Sequence, residues 1–300
     1  MNIFFPKEHI NEARFSLTGE TAEKFLKKNI DLYVEETVQF QDALLNNLIE
    51  TAKVKTISRQ QGLSSADIIC SLNKLSLDDI AHVKQDTLVV SFLDPFNEVE
   101  LISELKNRSI SSISMELVPR TTRAQKMDAL SSQANLAGYS AVIIASNHLE
   151  KALPMMMTAA GTISPSKVFV VGVGVAGLQA IATAKRLGAR VEAFDTREEV
   201  EDQVKSLGAR FVKIDLGETE QTSQGYAKAL TADQIKKQQE GMKKVCSSSD
   251  IVITTAQVFG RPAPKIITAE MVEAMQPGSV VVDMAVSSGG NVEGSKKGEI

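Results

Sequence analysis

At 300 residues, 43% of them hydrophobic, the chain can build two domains with packed cores, which excludes a disordered protein. A net charge of -4 gives no electrostatic case for nucleic acid as a partner. Two cysteines (Cys70 and Cys246, no CxxC) and three scattered histidines point to a reducing compartment and no metal, and no run reaches the roughly 20 apolar residues of a membrane span, so no direct membrane insertion is expected.

The chain opens directly on Ile3-Phe4-Phe5 and Pro6-Lys7-Glu8, and no signal or transit peptide is expected ahead of the fold. Short apolar runs at Ile3–Phe5, Ile30–Val34, Lys53–Ile57, Asp67–Leu72, Thr87–Phe92 and Ser111–Met115 read as strands. Amphipathic runs at Glu20–Lys28, Gln41–Ala52 and Glu98–Lys106 read as helices between them. This alternation predicts a parallel α/β sheet without a glycine fingerprint of its own.

After Pro119 a helix is expected from Arg123 onward. On it Gln125, Asp128 and Ser131 or Ser132 would share one face, with Arg120 and Arg123 at its beginning. A solvated polar face explains that spacing as well as a ligand-binding one does. A second, buried helix is expected over Ala137–Leu153, and then a methionine-rich connection, Met155-Met156-Met157, whose thioethers read as packing, with an interface as the alternative that adaptable side chains also suit. The boundary between two doubly wound, Rossmann-like parallel-sheet domains is placed at 1–135 and 136–300.

The second half is organised around a strand, a glycine turn and a helix. Val168 to Val171 is apolar and largely β-branched, Gly172-Val173-Gly174-Val175-Ala176-Gly177 follows at once, and Leu178 to Leu187 has helical spacing up to Gly188. This is the spacing of a dinucleotide fingerprint. Gly172 would make the tight turn, Gly174 would let the backbone approach a pyrophosphate, and Gly177 would let the helix pack on the strand. Asp195 ends the next strand, Arg190 to Phe194, about 20 residues on, where a carboxylate can accept from an adenine ribose. That favours NAD(H) over NADP(H), although Arg197 nearby is the kind of residue that welcomes a 2′-phosphate. Further on, a helix over Glu198–Leu207 and a strand over Arg210–Ile214 are expected. Asp215 to Ala232 reads as a long polar loop containing Tyr226. Ala232–Val245 is read as helix, Asp250–Thr255 as strand, Thr268–Met275 as helix and Ser279–Asp283 as strand.

Pro119-Arg120, Arg123 to Asp128, Asn135 to Tyr139, Pro154 to Thr162, Gly172 to Ala189, Gly225 to Lys228, Arg261 to Pro264 and Ala285 to Asn291 together resemble one family. It is the NAD(H)-binding domain (the first portion of the alpha subunit) of proton-translocating NAD(P) transhydrogenase, in the alanine dehydrogenase/transhydrogenase superfamily. The resemblance implies direct, Si-Re specific hydride transfer from NADH to NADP+ held on a partner domain, coupled to proton translocation and active only with partner subunits. It implies NADP-binding and membrane-spanning partners, a homodimer, and a cytoplasmic chain peripheral on the inner face of the cell membrane. It also implies that Arg120, Gln125, Asp128 and Ser131 lie around the nicotinamide, with Arg120, Gln125 and Asp128 closest to the chemistry. Val175 and Asp195 would line the adenosine half, Thr196, Arg197, Thr255 and Ala256 would complete the cofactor-binding set, and Tyr226 would close over the cofactor from a mobile loop. Family members continue past Ile300, so a C-terminal return segment is expected to be missing here.

Two other readings compete. An alanine dehydrogenase shares the fold, Pro6-Lys7-Glu8 and Arg14, but needs a lysine and a histidine at the ends of first-domain strands. Here those ends are Cys70-Ser71-Leu72-Asn73 and Ser91-Phe92-Leu93-Asp94, Lys74 is expected to be unpartnered, and His82 reads as a surface residue in a helix-like stretch. A non-catalytic NAD-binding regulatory subunit would keep the glycine fingerprint and lose the Arg120–Ser131 stripe.

Overall fold

The structure, a computed structural model, describes residues 1–9, 12–36, 38, 40–217, 230–257 and 260–300. They divide into two compact units, Met1–Leu130 and Ser131–Ile300.

The first unit runs β1 (Asn2–Phe5), α1 (Gly19–Leu26), β2 (Asp31–Glu35), α2 (Ala43–Glu50), β3 (Lys55–Ile57), α3 (Arg59–Ser65), β4 (Ile68–Cys70), α4 (Leu77–His82), β5 (Leu88–Ser91), α5 (Val99–Asn107) and β6 (Ser111–Ser114). Its six strands pair in parallel in the order β3-β2-β1-β4-β5-β6. Alternation along each strand sends residues to opposite faces. Ile3, Phe5, Leu32 and Val34 pack under α1 and α2, whereas Phe4, Ile69 and Val89 pack under α3, α4 and α5. Each of these fully buried side chains contributes roughly 1.5–3 kcal/mol. The sequence reading expects helices between the strands but gives no bounds for α3 or α4. The signals are two capping boxes, Ser58 with Gln61 before α3 and Ser76 with Asp79 before α4, which satisfy the free N–H groups at both starts.

The second unit is built from α6 (Ala129–His148), a hairpin of β7 (Met156–Thr158) and β8 (Gly161–Ile163), then β9 (Lys167–Val171), α7 (Val175–Arg186), β10 (Arg190–Phe194), α8 (Glu201–Ser206), β11 (Arg210–Phe211), α9 (Ala232–Ser247), β12 (Ile251–Thr254), α10 (Ala269–Glu273) and β13 (Val280–Asp283). The main sheet is parallel in the order β11-β10-β9-β12-β13. Val168 and Val170 face α6 and α7, and Phe169 and Val171 face α9 and α10. The fold is therefore α/β with two Rossmann-like, doubly wound sheets, and only the second carries the glycine turn.

Three local expectations are corrected. The helices expected from Arg123 and over Ala137–Leu153 are one helix, α6; Gln125–Met127 is a short 3-10 turn, and Asp128 (φ -75°, ψ 81°) stands outside the helix. Asp is favoured at such an N-cap position, so the chain starts the helix after it. Gln125 and Asp128 therefore do not share a helix face with Ser131. The methionines are not packing: Met155, Met156 and Met157 are 58%, 49% and 72% exposed on or beside an isolated hairpin. The strand expected over Arg210–Ile214 is two residues long.

Candidate functional site: the carboxyl ends of the second sheet

In an open α/β sheet, ligands bind beyond the strand ends where the strand order reverses. Here that point lies between β9 and β12. The three fingerprint glycines border it, each for a different physical reason. Gly172 adopts φ +95°, a left-handed conformation that disfavours a side chain, and a Cβ there would come within 2.6 Å of Thr255 Oγ1. A Cβ on Gly177 would lie 1.9 Å from the carbonyl oxygen of Gly172, so only glycine lets α7 approach the turn this closely. Gly174 differs from both. It has an ordinary φ of -86°, and nothing in the protein lies within 4 Å of where its Cβ would be. Neither backbone strain nor internal packing asks for glycine there.

Gly174 is also the N-cap of α7 and brings no side chain to the cap. The first N–H groups of a helix have no intrahelical partner, and the helix dipole adds partial positive charge, so this end suits a phosphate. Val175, 39% exposed, opens the helix beside it.

Asp195 lies just past β10 and is held from three sides. Its Oδ2 accepts from Val173 N–H (2.7 Å), inside the glycine turn, and from Arg197 Nη2 (2.9 Å). Its Oδ1 accepts from Arg197 Nε (2.9 Å) and from the Arg197 backbone N–H (3.0 Å). Arg197 Nη2 also reaches the Val173 carbonyl at 3.3 Å. The bond to Asp195 pushes the Arg197 guanidinium above its ordinary value despite its burial. Beyond Asp195 a narrow cleft is lined by Thr196, Glu198, Phe211, Lys213, Ile214 and Gly217.

On the other side of the reversal point, Thr255 N–H donates to Val171 O (2.8 Å), and Thr255 Oγ1 donates to the Gly172 carbonyl (3.0 Å). Ala256 follows, with its backbone bound on both sides by the carboxamide of Asn291.

Gly172, Gly174, Val175, Gly177, Asp195, Thr196, Arg197, Thr255 and Ala256 thus meet at one end of one sheet. Ser131 lies in the first turn of α6, and two turns on, a Cβ at Gly138 would be 2.1 Å from the Ala176 carbonyl, so α6 packs directly on the start of α7. Arg120 and Gln125, both exposed, and Asp128, half-buried, belong to the first unit. Tyr226, expected to close over the cofactor, lies outside the described residues. Sequence reasoning missed Val173, whose backbone N–H holds Asp195, and Asn291, which is present in its motif without a role.

The first unit corrects one further expectation. Lys74 is not unpartnered but ion-paired to Glu98. Arg14 is chelated by Glu12 (Nε to Oε1 2.7 Å, Nη2 to Oε2 2.5 Å), and that bond holds the Glu12 carboxyl at about 2. Cys70, pushed up to about 11 by burial, is an inert thiol. No group of metal-ligating side chains occurs among the described residues, and no helix among them is long and apolar enough to cross a membrane.

Comparison with known proteins agrees with this geometry. Residues 4–137 match the family model described as alanine dehydrogenase/PNT, N-terminal domain, and residues 141–300 match the C-terminal domain. The first portion of the split NAD(P) transhydrogenase subunit alpha of Rickettsia prowazekii is 45% identical over 306 residues, covering 100% of this chain and 80% of that protein. A crystal structure of transhydrogenase from Sinorhizobium meliloti superposes with a TM-score of 0.85 at 40% identity, covering 100% of this chain and 83% of the other. The alanine dehydrogenase of Bacillus subtilis is a more distant relative, 25% identical over 98% of this chain and 72% of its own length. The chain belongs to the alanine dehydrogenase/PNT family, with greater similarity to its transhydrogenases than to its alanine dehydrogenases.

Proposed function

We propose that the chain is the NAD(H)-binding component of a proton-translocating NAD(P) transhydrogenase. The observation that carries this reading is the open space at Gly174, above the uncapped start of α7. A glycine required by neither strain nor packing is explained by a ligand that comes close to the backbone. When bound, the dinucleotide supplies a hydride, which passes to NADP+ held by a partner domain and needs no protein nucleophile. The chain's own work is to bind, orient and keep water out. Gly172, Gly174 and Gly177 receive the pyrophosphate, and Val175 lines the adenosine side. Asp195, Thr196 and Arg197 take the adenine ribose, and Thr255 and Ala256 form the opposite wall. Arg120, Gln125, Asp128 and Ser131 hold the nicotinamide end.

Both oxygens of Asp195 already accept two donors each, so a ribose hydroxyl reaches this carboxylate by displacing one of the Arg197 bonds. The carboxylate still disfavours a 2′-phosphate, and NADH is the expected ligand.

Against amino-acid oxidation, the two cations that could hold a substrate carboxylate, Arg14 and Lys74, are each paired to a glutamate. The partners of this component are NADP-binding and membrane-spanning subunits, which would keep it at the inner, cytoplasmic face of the cell membrane. A homodimer accords with the exposed hairpin, because an isolated two-stranded ribbon is marginally stable unless another surface covers it.

The test is fluorescence titration with NADH and NADPH, followed by hydride transfer to NADP+ with the partner subunits added. NADH should bind preferentially, and transfer should require the partners. Gln125→Asn should slow transfer by about 100-fold while NADH affinity changes little, since an error of about 1 Å in placement costs that much. Equal affinity for NADPH would overturn the assignment at Asp195. Alanine-dependent NADH formation by the chain alone would overturn the transhydrogenase reading.

A further inference from the structure

Asn291 is completely buried, and its carboxamide uses every hydrogen-bonding group it has on backbone far away in sequence. Its Oδ1 accepts from Ala256 N–H at 3.0 Å, and its Nδ2 donates to the Ala256 carbonyl at 2.8 Å and to the Pro264 carbonyl at 2.9 Å. β12 ends at Thr254, so Ala256 has no neighbouring strand to pair with. The Asn291 side chain supplies both halves of that missing pairing and extends the β12 wall by two residues. The wall then reaches the glycine turn through Thr255 Oγ1, which donates to the Gly172 carbonyl.

The segment carrying Asn291 is itself fixed. Asp283 Oδ2 accepts from Val292 N–H (3.0 Å) and from Ser295 Oγ (2.7 Å), and Lys265 Nζ donates to the Gly289 and Val292 carbonyls (2.6 and 3.0 Å). The Asn291 backbone carbonyl accepts from Ile266 and Ile267. The carboxamide is therefore a rigid peg, and Ala256 is what it holds.

We propose that Asn291 is a positioning residue for the dinucleotide crevice, setting the Thr255–Ala256 wall against the Gly172 turn. This rests on the nucleotide site proposed above. The crevice lies between β9 and β12, so the peg acts on the half of the site built on β12. The half built on β9, β10 and β11, where an adenosine monophosphate would sit, receives no hydrogen bond from the Asn291 carboxamide.

The experiment compares NADH and AMP binding by the 300-residue chain and its Asn291→Ala and Asn291→Ser variants, by fluorescence and calorimetry, with thermal melts alongside. Asn291→Ala leaves one N–H and two carbonyls without this partner, and NADH should bind about tenfold more weakly. AMP affinity should be unchanged. Asn291→Ser, which keeps a hydroxyl able to serve one of those groups, should fold and fall between. Thr255→Val, which keeps the shape and removes the hydroxyl, should weaken NADH similarly and add little in the double variant, because both act through one contact. Parallel loss of NADH and AMP would show a general structural role and overturn the proposal, as would unchanged NADH affinity in both Asn291 variants. If the unsubstituted chain bound no NADH, the parent reading would fall and this proposal with it.

Discussion

In the first unit the chain leaves its central strand at Phe5 and passes through Pro6 to Thr18 before α1 begins, whereas in the second it leaves at Val171 and enters α7 at Val175. The strand orders are otherwise alike, β3-β2-β1-β4-β5 in one sheet and β11-β10-β9-β12-β13 in the other. Both wirings leave a crevice between the first and fourth strands. In the first sheet the crevice holds the protein's own carboxylate. Glu8 accepts from Leu72 N–H (2.6 Å), Asn73 N–H (3.0 Å) and Asn73 Nδ2 (3.1 Å), just past β4. Glu35 takes Lys7 N–H and Arg59, which also chelates Asp79, while Glu116 takes Leu93 and Asp94 N–H beyond β5. Internal glutamates thus do for the first sheet what a pyrophosphate does for a nucleotide-binding one. In the second sheet no side chain among the described residues caps the start of α7, and none lies within 4 Å of where a Gly174 Cβ would be. Topology supplies the crevice, and the residues after the central strand decide who fills it.

The strongest way to break this comparison is Gly177→Ala. A methyl 1.9 Å from the Gly172 carbonyl forces helix and turn apart, costing about 1–3 kcal/mol or more and displacing the whole anion site. NADH binding should be abolished and the melting temperature lowered. Normal binding would mean that the turn does not form the site. Gly174→Ala sharpens the point, because its methyl meets no protein atom. Melting should be unchanged, while NADH weakens by about 10–100-fold, the scale of a 1–3 kcal/mol clash. Retained affinity would show that no ligand comes close at Gly174.

Glu8→Ala is the converse test. It removes the partner of two backbone N–H groups in the first unit and should cost about 1–3 kcal/mol in urea unfolding. NADH affinity should hold, and a loss as large as that of Gly174→Ala would refute the division of labour between the sheets. The smallest effect concerns acid. Glu12 is lowered from its ordinary 4.5 to about 2 by Arg14, so its contribution is present above pH 4.5 and is lost as pH falls from there through about 2. Arg14 is half exposed, so the contribution is below about 1 kcal/mol. Arg14→Ala should flatten the acid limb of the urea midpoint between those pH values. An unchanged limb would show that the pair contributes no stability.

Much of this is legible in local pattern. Strand cores such as Val168–Val171 and Ile3–Phe5 stand out because buried parallel strands need short, continuous apolar runs. The glycine turn is legible because its spacing answers steric demands set within a few residues. The start of α6 is misleading because polar spacing from Gln125 through Ser131 suits a helix, while Asp128 competes by favouring an N-cap. The methionines mislead because apolar residues suit a core and an exposed hairpin equally well.

Local pattern alone was enough for two doubly wound sheets, the position of the glycine turn and the family. Folding, in contrast, is what brings Lys74 to Glu98, closes Arg197 on Asp195, sets Glu8 against the end of β4, and bonds Asn291 to Ala256 beyond β12. Glu8 and Asn73, or Asn291 and Ala256, are 65 and 35 residues apart, and they meet because the strand order brings their loops to one sheet end. Local pattern reports which residues form strands and helices. A side-chain hydrogen bond between distant loops depends on which strands become neighbours, and no single segment encodes that.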